Sequence, residues 1–433
     1  MKAGIAIRDL TPEYPVHLGG YPEPEDRAGL EAHDRLWTSL YYFETESGKL
    51  LLLTNDLIYL NNADAKETRR RLAEATGLPY ERVIFTATHT HSAPQYSLLP
   101  VEHDPYLDWL ETARGKWVDA AKEAMANTFD AKVGFGLALC GAEKGIGGNR
   151  HDKSGPADPR VTVMVIRDLA DKIRGIFMNY SLHPTVLHAN SYYYSADFVW
   201  GIRETLRETY PDAVFGFNQG TSGDQSTRFF RHGQTFDEAF RMGSVLAGGC
   251  LEAIANIRGY DTEPQIRETH RYLMPEVKPI PTVEQALADK AKAQKIYDEL
   301  VASGAPYTEC RTMECTLIGT DTMLKKAEKA EKIGKEAVYG YGLPVELCAV
   351  AIGRAVICGV SAEVFVECSN RVKAASPFDY TFLSTLTNGD GIGYIVDDRG
   401  YDEYCYEANE TSFARGTCGL VADNLIEMTK ELK

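Results

Sequence analysis

Val83-Ile84-Phe85-Thr86-Ala87-Thr88-His89-Thr90-His91-Ser92 reads as a buried β-rich run that ends in two histidines one residue apart. Side chains alternate along a strand, so His89 and His91 are expected to aim two imidazoles at one spot where the strand leaves the core. Two neutral imidazoles at the mouth of a sheet are half of a zinc site; the alternative is that one or both only hydrogen-bond the loop. Upstream, Leu50-Leu51-Leu52-Leu53 forms another apolar run and leads through Thr54 to Asn55-Asp56. Between the runs, Asp64 to Thr76 carries Ala65, Leu72, Ala73 and Ala75 among charges, and Gly77 and Pro79 close it as a glycine C-cap and trailing proline do. Strand–helix–strand implies parallel strands with a right-handed crossover. Asp56 and His89 then both sit at carboxyl ends of strands, the edge at which open α/β sheets build sites.

The chain has 433 residues, 44% of them hydrophobic, enough for a large α/β core. No stretch approaches the ~20 apolar residues of a membrane helix. Met1-Lys2-Ala3-Gly4-Ile5-Ala6-Ile7 opens like a strand and lacks the long apolar region of a signal peptide, so a cytoplasmic location is expected. The nine cysteines fit that compartment, being scattered, odd in number and mostly set in apolar runs. Cys310 and Cys315 lack a second Cys/His pair at finger spacing, which argues against a structural zinc. Acidic residues outnumber basic ones 62 to 46, for a formal charge of −16. That balance disfavours nucleic acid and anionic membrane surfaces as partners, and a small-molecule substrate is the expected one.

Further along, 104–128 has helical periodicity, and 132–139, 160–166 and 173–182 read as strands. Helices are expected over 199–209 and 237–257, with a strand over 213–218 between them. The Ala-, Lys- and Glu-rich stretch 283–337 is expected to be a helical excursion on the surface, broken at Ser303-Gly304-Ala305-Pro306. Two strands over 343–360 turning at Gly353 and a helix over 364–374 follow. With no linker composition in sight, 1–433 reads as a single catalytic domain of the α/β class, mixed β-sheets flanked by helices.

Four more stretches carry chemistry. Asn179 to Thr185 is a strand ending in His183-Pro184, where a histidine can be a ligand or a structural residue. Asn218 to Ser226 contains a glycine-rich turn that would let backbone N–H groups approach a ligand. At Gly359 to Glu363 a strand yields to a helix, and the glutamate can ligate or complement the helix dipole. The last is Asn388 to Val396, followed by Tyr401 and Tyr406-Glu407.

In this order, the stretches resemble the neutral ceramidase family of zinc-dependent amidases. Thr88-His89-Thr90-His91-Ser92-Ala93-Pro94 is similar to the family's Thr-His-Thr-His-Ser-Gly-Pro, and His183 to its second ligand histidine. Asn149-Arg150 matches an Asn-Arg element, and Gly223-Asp224-Gln225-Ser226 a Gly-Asp-x-Ser-Pro-Asn turn. Ser361-Ala362-Glu363 matches Pro-Gly-Glu; Tyr394-Ile395-Val396-Asp397 and Tyr406-Glu407-Ala408-Asn409 match Tyr-Val-Thr-Thr and Tyr-Glu-Gly-Ala-Ser.

The resemblance implies one Zn²⁺ held by His89, His183, Glu363 and Tyr394. It implies His91 as base or proton shuttle, Arg150 on the scissile carbonyl, Tyr406 as a further donor and Ser226 as a hydroxyl that contacts substrate. Secreted ceramidases also carry a signal peptide and an immunoglobulin-like C-terminal domain, and this chain ends about where that domain would begin. Ser-Pro-Asn has become Ser226-Thr227-Arg228, and Thr-Thr has become Val396-Asp397, followed by Asp398-Arg399. Asp397 or Asp398, Arg150 and some of Tyr192 to Tyr194 are therefore expected to line a pocket for a small polar substrate rather than ceramide. The alternative is a metal-dependent sugar or polyol isomerase or lyase on the same scaffold.

Overall fold

The computed structural model describes residues 1–22, 24–334, 338, 344–390 and 393–433. Residues 335–337 of the helical stretch, the first residue of the 343–360 strand pair, and Gly391-Ile392 of the last motif lie outside them.

The opening strand–helix–strand unit forms as its sequence dictates. Gly48–Asn55 and Val83–Ala87 pair in parallel, with Leu52 opposite Ile84. Helix Asn62–Thr76 connects them; Asn61 caps its start by accepting from the Asp64 N–H, and Gly77 ends it at φ +69°. Alternation sorts the side chains between two cores. Leu51, Leu53 and Phe85 pack under Asn62–Thr76 and Pro105–Ala126, while Leu50, Leu52 and Ile84 face the other way. A strand buried on both faces shows a continuous apolar run, which is why Leu50–Leu53 does not alternate.

The unit is one edge of a nine-stranded sheet. From that edge the order is Val83–Ala87, Gly48–Asn55, Trp37–Thr45, Lys2–Asp9, Phe129–Leu139, Arg160–Asp168, Ile173–Tyr180, Val214–Gln219, with Tyr260–Asp261 also pairing Phe129–Leu139. Only the outermost pair at each edge is parallel. The sequence reading did not anticipate Trp37–Thr45; it too is buried on both faces and therefore lacks period-2 contrast.

Ile266–Leu273, Val345–Ile352, Ala355–Val360 and Tyr380–Ser384 form a second, four-stranded sheet in that order. Its inner face, with Val350, Ile352, Ile357 and Phe382, packs on Tyr41, Phe43, Leu50 and Phe177 of the first. Helices Phe198–Thr209 and Phe236–Ala255 cover the rest of the large sheet's outer face, and Val366–Ala375 and Thr417–Glu431 cover that of the small one. The layers thus run helices, sheet, sheet, helices: mixed β-sheets flanked by helices, as expected. No helix among the described residues is long and apolar enough to cross a membrane.

The 283–337 stretch becomes helices Val283–Ala302 and Tyr307–Ile333 around a small core of Ile280, Ala286, Leu324, Ala327 and Ala330. The second helix also packs on the short helix Tyr406–Glu410: a Cβ added at Gly319 would lie 2.9 Å from the Asn409 Cβ. The hairpin therefore closes one side of the region that follows the carboxyl ends of Val83–Ala87, Ile173–Tyr180, Val214–Gln219 and Ala355–Val360.

Candidate metal centre

Strand Val83–Ala87 stops two residues short of His89, which adopts a left-handed backbone at φ +68°. Strand alternation is thus not what aims His89 and His91 together; a tight turn does it. A non-glycine residue is costly in that conformation and persists where its surroundings hold it. Here the His89 N–H donates to Leu57 O at 2.8 Å, and the ring Nδ1 lies 3.0 Å from Ile58 O. Both carbonyls belong to the segment leaving Gly48–Asn55, so the parallel pair orients the imidazole.

His183 leaves Ile173–Tyr180 and sets its Nδ1 2.6 Å from Ser222 O. The glycine-rich turn after Val214–Gln219 therefore supplies an orienting carbonyl to a histidine rather than N–H groups to a ligand. Asp224 fastens that turn: its carboxylate accepts from the Asn149 amide at 2.9 Å and from Val366 N–H at 2.9 Å. Asn149 and Gln225 are also antiparallel partners, which carries Arg150 to the same place.

Carbonyl oxygens only accept hydrogen bonds, so both Nδ1 atoms carry protons and both Nε2 atoms present lone pairs. Those lone pairs face each other at 3.0 Å. The Glu363 Oε2 lies 3.3 Å from His89 Nε2 and 3.2 Å from His183 Nε2. A proton on one ring satisfies one of these contacts; a divalent cation satisfies all three. Tetrahedral zinc with bonds of about 2.0–2.1 Å separates its ligand atoms by about 3.3 Å, so the donor set fits such an ion. Charge agrees. Burial opposes ionisation of Glu363, yet the two histidines hold its carboxyl well below the usual range. Burial holds His183 down to about 4, while Glu363 outweighs burial at His89 and raises that imidazole, so without a metal the carboxylate draws a proton to the position that a cation would take.

His91 stands slightly apart. Its Nε2 is 3.4 Å from His89 Nε2, and it makes no ion pair with Glu363 among the described residues. With His89 and His183 it forms a group whose donor atoms all lie within 4.8 Å of one another. Burial, then its two neighbouring histidines, keep it neutral. Gly20 makes room for the ring at φ +94°; a Cβ there would lie 2.2 Å from His91 Nδ1.

Glu363 and Tyr394 are register partners on the short parallel strands Glu363–Val364 and Tyr394–Ile395. The Tyr394 hydroxyl accepts from Arg150 at 3.3 Å, and burial together with Glu363 keeps the phenol protonated. Arg150 also pairs with the fully buried Glu407, whose other oxygen lies 2.8 Å from His151 Nε2. The guanidinium lies over the rings of Tyr394 and Tyr406 at 5.6 and 6.0 Å. Ser226 accepts at its hydroxyl from Arg228 N–H at 3.2 Å.

His91, His183, Arg150, Ser226, Tyr394 and Tyr406 line one cleft of about 830 Å³, mouth included. Two expectations about the pocket fail. Asp397 caps helix Asp398–Asp402 by accepting from Gly400 N–H, and neither Asp397 nor Asp398 lines the cleft. Tyr194 is a core residue hydrogen-bonded to Val16 N–H at 2.7 Å, and Tyr193 packs on Phe236, so neither lines it, nor does Tyr192. Asp56 pairs with Arg203 at 2.8 Å and with Trp37 N–H, away from the histidines. In their place the cleft has His151, His188, Arg228, Arg231, Arg311 and Glu407, to which the sequence reading gave no role. The visible signals were the departure at Ser226-Thr227-Arg228 and, for Glu407, the Tyr406-Glu407 motif.

Two solved structures superpose on all of this chain. Neutral ceramidase from Pseudomonas aeruginosa matches with a TM-score of 0.76 and 17% identity, over 100% of this chain and 74% of that one. A structure described as ceramidase complexed with C2 matches with a TM-score of 0.73 and 17% identity, over 100% and 75%. No protein-family model matches the sequence, and no curated protein is similar to it at a significant level. The fold is neutral-ceramidase-like.

Proposed function

We propose that the chain is a zinc-dependent hydrolase that cleaves an amide-type bond in a small polar molecule. The observation that carries this reading is the convergence of two Nε2 lone pairs and a carboxylate oxygen within 3.0–3.3 Å, beside a cleft that His183, one of the three, lines. His89, His183 and Glu363 would hold the ion, with Tyr394 as a fourth donor through its oxygen. A zinc ion so held supplies Lewis acidity and a water acidified toward neutral pH. His91, neutral and adjacent, is suited to take and return the proton. Arg150, fixed by Glu407 and directed at the Tyr394 hydroxyl, is placed to stabilise negative charge developing on a carbonyl oxygen. Tyr406 adds an aromatic wall and a hydroxyl, and Ser226 a hydroxyl for substrate contact. On this reading 1–433 works as one catalytic domain, without nucleic acid or stable membrane association.

Metal analysis combined with turnover tests the assignment. The purified protein is expected to bind about one zinc per chain, and His183→Ala to lose both metal and hydrolysis of an amide panel. His91→Ala should keep the metal and slow turnover by about 10²–10⁴-fold, the range for a lost acid–base group. A metal-free His91→Ala protein would make His91 a ligand. Full zinc in His183→Ala would remove the proposed centre altogether.

A further inference from the structure

The cleft is far more basic than the protein around it. The chain carries a net charge of −16, yet Arg150, Arg228, Arg231 and Arg311 all line this one cavity. Carboxylates pair with only two of these four guanidiniums. Glu407 is shared by Arg150 and His151, and the half-exposed Glu314 pairs with Arg311 at 2.6 Å. Neither Arg228 nor Arg231 makes an ion pair among the described residues. Arg228 donates to Arg150 O at 3.1 Å, to Thr312 Oγ1 at 2.9 Å and to Cys315 Sγ at 3.4 Å. Arg231 donates to Thr185 O at 2.7 Å and Thr227 Oγ1 at 3.4 Å. These bonds orient the guanidiniums without neutralising them.

A second observation points the same way. His188 lines the same cleft, and its Nε2 is buried without a hydrogen-bond partner among the described residues. Burial, then Arg311 and Arg231, hold this imidazole down to about 4. Arg27, fully buried and without a carboxylate partner among the described residues, lies over the ring of the cleft residue Tyr21 at 5.1 Å and adds to the same field. Unpaired guanidiniums in a partly desolvated cavity are costly unless an anion completes them, and their planar forks match carboxylate and phosphate oxygens.

Resting on the amide-hydrolase reading above, we infer that the substrate carries an oxyanion group, carboxylate or phosphate, received by Arg228, Arg231 and Arg311 against the wall formed by helix Tyr307–Ile333. Metal end and cationic end together then fix which amide bond meets the reacting groups. Ceramide, an uncharged lipid amide, offers no anion to this wall, so the same feature disfavours it.

Calorimetric titration of inorganic phosphate and of acetate, into the zinc-loaded protein and after chelation, tests the site without turnover. One of the two anions is expected to bind in both forms. Arg231→Gln and Arg311→Gln, on separate elements, should each weaken that binding about 10- to 100-fold, the range for a charge-assisted contact, with Arg231→Lys recovering part of it. No binding, binding that disappears with the metal, or binding that neither glutamine variant weakens overturns the proposal. Three amides then identify the group: an N-acyl amino acid, its carboxamide, and an N-acyl phosphoethanolamine. A preference of about tenfold or more for one charged amide over the carboxamide names the oxyanion, and equal turnover of all three overturns the inference. Anion binding sensitive to Arg231→Gln with no amide cleaved refutes the amidase reading and leaves the anion site standing.

Discussion

Glu407→Gln removes one charge and almost no volume from the most closely coupled part of the cleft. Glu407 is 1% exposed; one carboxylate oxygen meets Arg150 and the other meets His151 at 2.8 Å. Burial opposes its ionisation, but Arg150 and His151 hold the carboxyl far below the usual range. In the variant the Arg150 guanidinium, itself 8% exposed, keeps its charge and loses its counter-ion. Breaking a buried pair this way costs about 3–5 kcal/mol. With an unfolding entropy of about 2.1 cal/mol/K per residue over 433 residues, that lowers Tm by about 3–5 °C. Arg150 also loses what orients it toward the Tyr394 hydroxyl, so kcat on the preferred amide should fall about 10²–10³-fold, the loss typical of a misplaced oxyanion donor. Scanning calorimetry and initial rates read the two effects separately, and zinc content should stay at the wild-type level because no proposed ligand is touched. Asp423→Asn, which removes an exposed partner of Arg371, is the control and should change none of these quantities. A Glu407→Gln protein with wild-type Tm and kcat would show that Arg150 does not depend on Glu407, and the account of the cleft's electrostatics would fail.

Asp158 makes a pH prediction away from the centre. Burial opposes its ionisation, but Lys373 at 2.7 Å and Arg160 hold its carboxyl down at about 2, against an ordinary 3.8. A depressed folded pKa gives stability that is complete above the unfolded value and lost as pH falls from about 4 through about 2, about 2.5 kcal/mol in all and about 1.5 of it by pH 2.5. Lys373 is itself lowered by burial, a cost that belongs to the alkaline side and leaves the acid window to Asp158. Denaturant unfolding between pH 5 and 2.5 should show this extra loss in wild type and not in Asp158→Asn; parallel curves would refute it. Gly20→Ala places a methyl where His91 Nδ1 sits, so turnover should fall at least tenfold while bound zinc is unchanged; an unaffected rate would mean that His91 moves aside freely or takes no part. Long-chain fluorescent ceramide should release fatty acid negligibly beside the best soluble amide, and comparable rates would refute the polar-substrate reading.

Local features of the chain were legible as sequence. The parallel unit around Gly48–Asn55 and Val83–Ala87, the Gly77 cap and the break between the two long helices follow from periodicity and from glycine and proline chemistry, which act over a few residues. The residues named for the centre came from the resemblance carried by their motifs and by the order of those motifs along the chain. Tertiary structure decided how they meet. A left-handed turn at His89, held by carbonyls from a neighbouring strand's exit, replaced the strand geometry that the spacing suggested. Packing of the second sheet on the first brought Glu363 within 3.3 Å of histidines on two other elements. Asp397 and Asp398, read as pocket charges, became a helix cap and its neighbour, and arginines line the cleft instead. Arg228, Arg231 and Arg311 look like ordinary surface cations in sequence, since whether a charge has a partner depends on what the fold places within a few ångströms of it. Sequence carries the donors and the elements that bear them; only long-range packing sets their distances, and electrostatic and coordination chemistry both depend on distance.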